Sequence, residues 1–403
     1  MRKVPELRFA GFDGEWEEHN LSEFISVYRG LTYSPKDITN NISDTFVIRS
    51  SNVKNNSIID ADNVYVNPSI VNTENVKNGD IILVVRNGSR SLIGKHAAIT
   101  KDIPNTVIGA FMLGVRARTP DFINALFDTT KFDKNIRKNL GATINQITNK
   151  NISEMKFFFT DIEEQEKIGV LFKKLDALIE VQEGKVSKLE DFKKSMLQKM
   201  FPKKGELVPE FRFDGFDGEW YTKKADDMLI KNRKKNKDLA IDYVESVSNK
   251  FGFIKQTEQF EGYQLASADL SNYYVIEPYC FAYNPSRINV GSIAYKDKDG
   301  TTSVVSPLYV SFSTVSKIND YFIWYLFKTY QFEQQRQSYA EGGVRDTLSF
   351  ASLSEFKFVI PTIEEQQKIG QFFKNLDTQI ENEERLLESY KMMKKSLLQK
   401  MFV

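Results

Sequence analysis

The sequence predicts an α+β fold with an internal duplication, in which two mixed α/β domains are separated by two long helices. The hexamer GFDGEW occurs at 11–16 and again at 215–220. The segment IEEQEKIGVLFKKLD (162–176) returns as IEEQQKIGQFFKNLD (363–377), and KKSMLQKMF (193–201) returns as KKSLLQKMF (394–402). A repeat of roughly 200 residues is too long for a solenoid unit and has the length of a domain plus a connector. The chain is therefore expected to hold two copies of its functional site.

The repeated ends enclose middles that differ. Residues 25–140 and 229–340 both hold short β-branched or aromatic runs between Gly, Asn, Pro and Ser turns, which is typical of small mixed α/β domains. Helices are predicted within both middles, at 120–139 and 318–338. The chain is thus predicted to contain a first domain at 1–160, a long helix at 161–201, a second domain at 202–361 and a second long helix at 362–403.

Apolar residues in the two repeated segments recur every seven positions, as in a coiled coil. The predicted pairing positions of the first helix are Ile168, Phe172, Leu175, Ile179, Gln182, Val186, Leu189, Lys193, Met196 and Met200. Those of the second are Ile369, Phe373, Leu376, Ile380, Glu383, Leu387, Tyr390, Lys394, Leu397 and Met401. Asp161 with Glu164, and Thr362 with Glu365, have the spacing of a capping box at each helix start. Because the first helix leads into the second domain and the second ends the chain, we expect the two helices to pair antiparallel.

The middle pairing position is polar in both helices, Gln182 in one and Glu383 in the other. In an antiparallel pair with a pseudo-two-fold axis, residues near the helix centres lie opposite their repeat partners. Gln182 and Glu383 are therefore predicted to meet, and a polar residue at such a position fixes register at a cost in stability. The alternative is that both side chains face solvent or another protein.

Composition excludes several kinds of site. Cys280 is the only cysteine, which excludes an internal disulfide and agrees with a reducing cytoplasm. His19 and His96 are the only histidines, which excludes Cys/His zinc clusters. The chain has no run of eighteen apolar residues and no apolar signal region at its start, so a cytoplasmic location is expected. Net charge is +1, yet residues 25–159 hold 17 Lys and Arg against 11 Asp and Glu.

This pattern resembles the specificity (S) subunit of type I restriction–modification enzymes. The resemblance rests on PTIEEQQKI (361–369) with its Pro-x-x-x-x-Gln spacing, on its counterpart TDIEEQEKI (160–168), on the heptads that follow, and on the doubled VPE-L/F-RF-x-GFDGEW openings. Family members also carry a Gly-rich turn before that element, here EGGVRDTLSF (341–350). The first half departs from the pattern, reading LGATINQITN (140–149), and Thr160 stands where Pro361 stands in the second.

The resemblance implies a non-catalytic DNA reader. Its two α/β domains would be target recognition domains, each reading one half of an asymmetric bipartite site, and its helices would set the number of unread bases between the halves. It would act with two S-adenosylmethionine-dependent adenine methyltransferase (modification) subunits, and with ATP-driven restriction subunits for cleavage. S-adenosylmethionine, ATP and Mg²⁺ are therefore expected on the partners, and no cofactor on this chain.

The sequence matches the motifs of DNA-acting enzymes poorly. No two prolines are adjacent, so the Asp/Asn-Pro-Pro-aromatic loop of an amino-methyltransferase is absent, and GSRSLIGKH (88–96) has the wrong glycine spacing for a P-loop. Pro120-Asp121 followed by Glu154-Met155-Lys156 imitates a magnesium nuclease site. However, SEMKFFF (153–159) repeats as SEFKFVI (354–360) without a preceding Pro-Asp, which favours a turn leading into a buried strand.

Candidate DNA contacts are basic residues for phosphates, and Arg, Lys and small polar residues for base edges. In the first domain they are Arg86, Asn87, Ser89, Arg90 and Lys95 in VVRNGSRSLIGKH (84–96), with Thr143, Asn145 and Gln146 on the loop that corresponds to GGVRDT. In the second domain they are Lys234, Lys235 and Lys237 in KNRKKNK (231–237), Asn284, Ser286 and Arg287 in YNPSR, and Arg345. The alternative is that these runs are solvated loops or surface hairpins.

Aromatic residues are expected to pack more often than to bind. Tyr273, Tyr274, Tyr279 and Tyr283 could stack on bases, but core or β-face packing is the commoner use. The tryptophan of each GFDGEW is expected to anchor its domain against the end of a helix. A competing interpretation of the whole chain is a coiled-coil scaffold whose end domains bind proteins.

Overall fold

The internal duplication is visible in the computed structural model, which describes residues 3–140, 145–249, 252–259, 269–340 and 347–403. The chain divides into two units, of which unit 1 is Met1–Gly184 with Arg385–Val403 and unit 2 is Lys185–Glu384. Each unit thus contains one α/β domain, the first part of one long helix and the last part of the other.

Unit 1 is built from short strands. They are β1 Glu17–Asn20, β2 Ile25–Arg29, β3 Ile38–Thr39, β4 Thr45–Ile48, β5 Val53–Lys54, β6 Ser57–Ile58, β7 Val64–Val66, β8 Ile81–Val84, β9 His96–Ala98, β10 Thr106–Ile108, β11 Met112–Ala117 and β12 Lys156–Phe159. Among the described residues they form two four-stranded sheets, ordered β2-β11-β8-β9 and β10-β4-β7-β3, and the pairs β1-β12 and β5-β6. The first sheet is antiparallel throughout, and in the second β10 runs parallel to β4.

The helices of this part of the chain are α1 Pro120–Phe127, α2 Thr130–Asn139, α3 Asn149–Ser153 and the long α4 Ile162–Lys199. The helical stretch predicted over 120–139 consists of two helices. Thr129 separates them, because its hydroxyl donates to the Leu126 carbonyl at the end of α1 and accepts from the Phe132 N–H at the start of α2. This is the N-cap chemistry that threonine supplies.

Unit 2 repeats the plan. Its strands are β13 Tyr221–Lys224, β14 Leu229–Lys231, β15 Glu245–Ser248, β16 Gly252–Lys255, β17 Tyr274–Ile276, β18 Phe281–Tyr283, β19 Ile293–Tyr295, β20 Ser303–Val305, β21 Val310–Thr314 and β22 Lys357–Ile360. The remaining helices are α5 Gln256–Gln259, α6 Asp320–Leu326, α7 Tyr330–Ala340, α8 Phe350–Ser354 and the long α9 Ile363–Met401. The helix predicted over 318–338 is again split, and Thr329 donates to the Leu326 carbonyl at the break.

The sheet β14-β21-β18-β19 has the strand order of β2-β11-β8-β9. β2 pairs with β11, which leads into α1, and β14 pairs with β21, which leads into α6. The opposite edges of the two sheets are the hairpins β8-β9 and β18-β19. The pair β13-β22 likewise repeats β1-β12. The SEMKFFF and SEFKFVI segments each lead into the second strand of such a pair, so the prediction of a turn before a buried strand is confirmed.

The repeated opening and the repeated IEEQ motif bind each other. Arg8 donates two hydrogen bonds to the buried Glu164 carboxylate, at 2.7 and 2.8 Å, and a third to the Gly14 carbonyl. Asp161 caps α4 by accepting from the Glu164 N–H at 2.9 Å. The carboxylate of Glu164, which a capping box would turn back toward the helix start, is held instead by Arg8 and Thr160.

The same contacts recur in unit 2. Arg212 donates to both oxygens of the buried Glu365 carboxylate at 2.8 Å and to the Gly218 carbonyl. The glutamine that follows each glutamate donates to the carbonyl five residues before it, Gln165 to Thr160 and Gln366 to Pro361. Because only that carbonyl is used, threonine replaces proline without loss of the contact. The repeated motifs therefore join each domain to its long helix.

The tryptophan of each GFDGEW is buried, as expected, against a phenylalanine just beyond the end of a long helix. Trp16 lies 6.2 Å from Phe402, ring centre to ring centre, and Trp220 lies at the same distance from Phe201. Lys167 lies over the Phe12 ring at 4.6 Å, which ties the loop to α4 as well. Burial of a tryptophan contributes several kcal/mol at about 25 cal/mol per Å² of apolar area.

A glycine lets each long helix approach its domain closely. A Cβ atom at Gly169 would lie 2.7 Å from the Phe122 backbone nitrogen, and one at Gly370 would lie 2.9 Å from that of Phe322. Both contacts are shorter than carbon and nitrogen atoms tolerate. The start of α1 and the start of α6 can therefore pack directly on the backbone of a long helix.

Within each unit the two long-helix segments run antiparallel and carry matching ion pairs. In unit 1, Lys394 lies 2.6 Å from Asp128 and also contacts Asp176, while Lys391 lies 2.6 Å from Glu183. In unit 2, Lys193 contacts Asp377 and Lys185 lies 2.7 Å from Glu383. The lysines at predicted pairing positions are thus neutralised by carboxylates of the other helix.

The predicted pairing residues divide into two groups. Ile168, Phe172 and Leu175 belong to the core of unit 1, and Ile369 and Phe373 belong to that of unit 2. Gln182, Val186, Leu376 and Ile380 are buried, whereas Ile179, Leu189, Glu383 and Leu387 are half-buried. The first turns of each helix therefore pack on a globular domain. The meeting of Gln182 with Glu383 stays a prediction.

Candidate DNA-binding surfaces

The first-domain candidates Arg86 to Arg90 lie on the hairpin between β8 and β9. The Asn87 side chain shapes its turn, because Oδ1 accepts from the Ser89 N–H at 2.9 Å and Nδ2 donates to Ser50. Arg90 begins a 3₁₀ turn, Arg90–Leu92, and Gly94 follows with φ of 92°. Arg86, Ser89 and Arg90 are exposed, which suits both a DNA-contacting loop and the alternative of a surface hairpin.

The second candidate loop of the first domain lies against this hairpin. Arg86 and Gln146 form an antiparallel bridge, and Asn145 donates to the Gly88 carbonyl at 2.9 Å. Gln146 is exposed. Thr143 lies outside the described residues. The structure therefore joins two groups of candidates that are about sixty residues apart in the sequence.

A cleft of about 610 Å³ opens beside the hairpin. Its walls are the hairpin at Asn87 and Gly88, the loop at Ala110 and Phe111 that enters β11, and the segment after β2. Arg49 also lines it and is held by Asp62 at 2.5 Å. The cleft therefore combines polar side chains of both hydrogen-bonding types with an exposed aromatic ring.

The second-domain candidates Asn284, Ser286 and Arg287 occupy the equivalent hairpin, between β18 and β19. Asn284 Oδ1 accepts from the Ser286 N–H at 3.1 Å, as Asn87 does from Ser89. A 3₁₀ turn, Ile288–Val290, and a glycine at positive φ, Gly291, follow. The sequences NGSRSLIG (87–94) and NPSRINVG (284–291) share the spacing Asn-x-Ser-Arg-x-x-x-Gly. That spacing could have revealed the correspondence from sequence alone.

A second cleft, of about 330 Å³, opens beside this hairpin. It is lined by Pro285 of the hairpin, by Pro307 and Leu308 of the loop that enters β21, and by Lys231 and Asn232 at the end of β14. These are the three elements that build the first cleft. The Leu348 N–H donates to the Pro285 carbonyl at 3.1 Å, and Arg345 lies outside the described residues.

The basic run 231–237 is only partly available to a ligand. Lys234 lies 2.6 Å from Glu277, and Lys235 donates to the Asn272 carbonyl while lying over the Tyr274 ring. Lys237 is exposed. Lys237 is thus accessible to a ligand, whereas Lys234 and Lys235 already bind groups of their own domain, and contact of the three lysines with DNA stays a prediction.

The tyrosines mostly pack, as expected. Tyr283 and Tyr273 are buried and Tyr274 carries Lys235, whereas Tyr279 is exposed. Burial raises the pKa of Tyr283 well above its ordinary value.

Lys95, the remaining candidate of the first hairpin, is exposed just before β9.

The nuclease motif does not assemble into a metal site. Asp121 lies 3.1 Å from Lys173, and Glu154 lies 3.7 Å from Lys150. In the described part of the chain no three acidic, histidine or cysteine side chains form a group that could hold a metal ion. Over the same ranges, no helix has the length and apolar character needed to cross a bilayer.

A further cleft of unit 2, of about 870 Å³, is lined by charges that largely pair with one another. Lys374 lies 2.5 Å from Asp297, and Asp377 accepts from Tyr325 at 2.7 Å and pairs with Lys193. Burial and the nearby Lys193 charge lower the pKa of Lys328, although its side chain also reaches solvent. Such internal pairing leaves little net field for a nucleic acid.

Comparison with known proteins gives consistent findings. A family model described as type I restriction modification DNA specificity domain matches twice, over residues 13–191 and 218–391. The crystal structure of a type I restriction-modification system S subunit from M. genitalium is similar to this chain, with a TM-score of 0.66, 14% identity and 99% of both chains covered. No curated protein sequence matches.

Two further solved structures are similar at TM-scores below 0.5. One is described as the structural basis of complex assembly and conformational transition of the type I R-M system, at 0.48, 12% identity and 96% and 97% coverage. The other is the HsdS subunit from Thermoanaerobacter tengcongensis, at 0.39, 15% identity and 100% and 99% coverage.

Proposed function

The chain belongs to the family defined by the type I restriction modification DNA specificity domain, and we propose that it is the DNA sequence-recognition subunit of a type I restriction–modification complex. Each α/β domain reads one half of an asymmetric bipartite site. The chain itself is non-catalytic and is required both for adenine methylation and for restriction.

One observation carries this proposal. The two domains have an Asn-x-Ser-Arg hairpin at equivalent positions of two sheets that share one strand order. Each hairpin lies beside a cleft lined by groups suited to base edges. Arginine and asparagine are the side chains that contact guanine and adenine edges in pairs of hydrogen bonds. The residues within the two clefts differ, which suits two half-sites of different sequence.

The partners follow from the family. Two modification subunits carry S-adenosylmethionine and methylate adenine, and ATP-dependent restriction subunits with Mg²⁺ cleave DNA. The long helices act as the spacer between the two readers, and the ion pairs of Lys394 and Lys193 support a fixed helix register.

The proposal is tested by mapping methylated adenines in the host genome with and without this gene. A bipartite motif that loses methylation in the deletion strain is expected. Fluorescence anisotropy with the chain and its modification subunits then measures binding to that motif. Sequence-selective binding that weakens steeply with salt supports DNA reading. Salt-insensitive or absent binding would favour the coiled-coil scaffold instead.

A further inference from the structure

The clefts beside the two Asn-x-Ser-Arg hairpins are each lined by an exposed, large apolar side chain. In each domain this side chain lies on the loop that enters an inner strand of the four-stranded sheet, β11 in unit 1 and β21 in unit 2. We infer that Phe111 and Leu308 are base-contacting residues that pack on the 5-methyl group of a thymine, one in each half-site. This inference rests on the proposed function and extends it, because it assigns direct readout to residues that carry no hydrogen-bonding side chain.

Phe111 is held rigidly although its ring is exposed. Its carbonyl accepts from both the Val85 and the Arg86 N–H, at 3.0 and 3.2 Å, so the loop is fastened to the hairpin. Phe111 is 52% exposed, and the Arg86 guanidinium lies 4.8 Å from the centre of its ring. A single exposed apolar residue is ordinary. A ring fixed beside a basic side chain at the mouth of a cleft is placed where DNA bases would arrive.

Leu308 repeats this placement in unit 2. It lies in the loop between β20 and β21, as Phe111 lies between β10 and β11, and it is 80% exposed. Ser306 fixes the loop, since its hydroxyl accepts from the Leu308 N–H and its carbonyl from the Tyr309 N–H. Pro307 restricts the backbone further. Two domains that differ elsewhere thus expose a large apolar side chain at one equivalent point.

The chemistry of the major groove identifies the contact. Its polar atoms are read by hydrogen bonds, and the thymine methyl is its apolar feature, which alanine, threonine methyl and phenylalanine contact. If adenine is methylated in each half-site, every half-site contains an A·T pair and therefore a thymine. Arg86, stacked on Phe111, would lie beside that methyl and reach a neighbouring base or phosphate.

Deoxyuridine tests the inference, because it lacks only the methyl group of thymine. The full chain, in complex with its modification subunits, is titrated with three duplexes that carry the mapped site. One is unmodified, one has every thymine of the half-site read by unit 1 replaced by deoxyuridine, and one has the other half-site replaced. For wild type each replacement is expected to weaken binding about four-fold per buried methyl.

Phe111→Ala should lose the deoxyuridine effect in the first half-site and keep it in the second, and Leu308→Ala should do the reverse. Each variant is therefore the other's control. Phe111→Leu should retain the effect. Thermal unfolding checks that the variants fold.

A full deoxyuridine effect in Phe111→Ala, or none in wild type, would overturn the inference while sequence-selective binding still upheld the proposed function. Loss of all sequence selectivity in wild type would reject the proposed function itself.

Discussion

At the level of single residues, Glu164 and Glu365 carry the attachment of each domain to its long helix. Each carboxylate is almost fully buried and is held by an arginine through two parallel hydrogen bonds. A buried carboxylate without such a partner would cost several kcal/mol. The arginine comes from the opening element and the glutamate from the helix, which explains why both motifs are repeated together.

The exposed arginines Arg86 and Arg90, unlike the arginines that bind Glu164 and Glu365, do not hold a domain to its helix. Arg86 stacks on Phe111, and Arg90 begins the 3₁₀ turn of the hairpin. Neither lies in the hydrophobic core, so both can change without loss of the fold. They are the most direct probes of DNA contact in unit 1.

Replacing Arg86 and Arg90 together with alanine should weaken binding to the mapped site by about 1–3 kcal/mol if either reads guanine through two hydrogen bonds. If both contact only phosphates, all sequences should weaken alike and the slope of log K against log salt should fall. Anisotropy titrations at several salt concentrations measure both. Arg118→Ala, at the far end of β11, is the control, and equal binding by the double variant and wild type would remove the hairpin from the interface.

At the level of elements, the long helices use charge where a coiled coil uses apolar residues. Burial raises the pKa of Asp176, and the Lys394 ammonium opposes that shift. Burial works against the charged form of Lys394, but Asp128 and Asp176 outweigh it and raise the pKa of Lys394. The cluster is stable because both carboxylates share one cation.

Lys394→Met should lower the free energy of unfolding by about 3 kcal/mol at pH 7, because Asp176 and Asp128 lose their cation. Without Lys394 the pKa of Asp176 should rise further. A carboxyl whose folded pKa exceeds its unfolded pKa gains folded-state stability as the pH falls, so the deficit should shrink between pH 7 and pH 5.

Urea unfolding at several pH values measures this effect. Lys394→Met with Asp176→Leu should recover most of the loss, and Lys395→Met, at the exposed neighbouring residue, is the control. A deficit that stays constant with pH would show that Asp176 is not the group left unpaired.

The sequence predicts the long helices more accurately than it predicts the short helices of the two domains. The heptad spacing predicts both long helices to within a residue or two, since their periodicity extends over about forty residues. The prediction of helical stretches at 120–139 and 318–338 does not include the breaks at Thr129 and Thr329. Each hydroxyl donates to the carbonyl three residues before it, and the Thr129 hydroxyl also accepts from the Phe132 N–H, so local hydrogen bonds make the break.

The candidate site was predictable in part. Asn-x-Ser-Arg residues in both domains were identified by residue type, and the structure places them on equivalent hairpins. Phe111 was not predicted, because it sits in an apolar run, GAFMLGV (109–115), whose other large members are buried strand residues. Exposure of a single residue depends on where the loop ends and the strand begins. The sequence does not predict that Glu277 lies beside Lys234 or that the Tyr274 ring lies under Lys235.

At the level of the whole molecule, the duplication predicts that the two domains act independently if each reads one half-site as proposed. Exchanging residues 25–159 for the equivalent segment of another such protein should change one half of the methylated motif and leave the other half intact. The exchanged segment lies between Arg8 and Glu164, so the attachment of the domain to its helix is kept. Methylation mapping of a strain carrying the chimaera measures the outcome. Changes in both halves would contradict independent reading.

The length of the two long helices is expected to set the number of unread base pairs between the half-sites. If α4 and α9 set the distance between the readers, a seven-residue insertion in each helix adds about 10 Å at 1.5 Å per residue. At about 3.4 Å per base pair that is roughly three base pairs. Seven residues keep the heptad phase, so the same residues continue to face the partner helix. The insertions should therefore leave both half-sites unchanged and lengthen the unread spacer.

A four-residue insertion is the matched control, since it adds length but breaks the heptad phase. It should reduce stability in urea unfolding and yield no new motif. Methylation mapping distinguishes the two variants directly. The seven-residue insertions could instead fold normally and leave the preferred spacer unchanged. The helices would then have changed length without moving either domain along the DNA. That result would show that another part of the complex sets the distance between the half-sites.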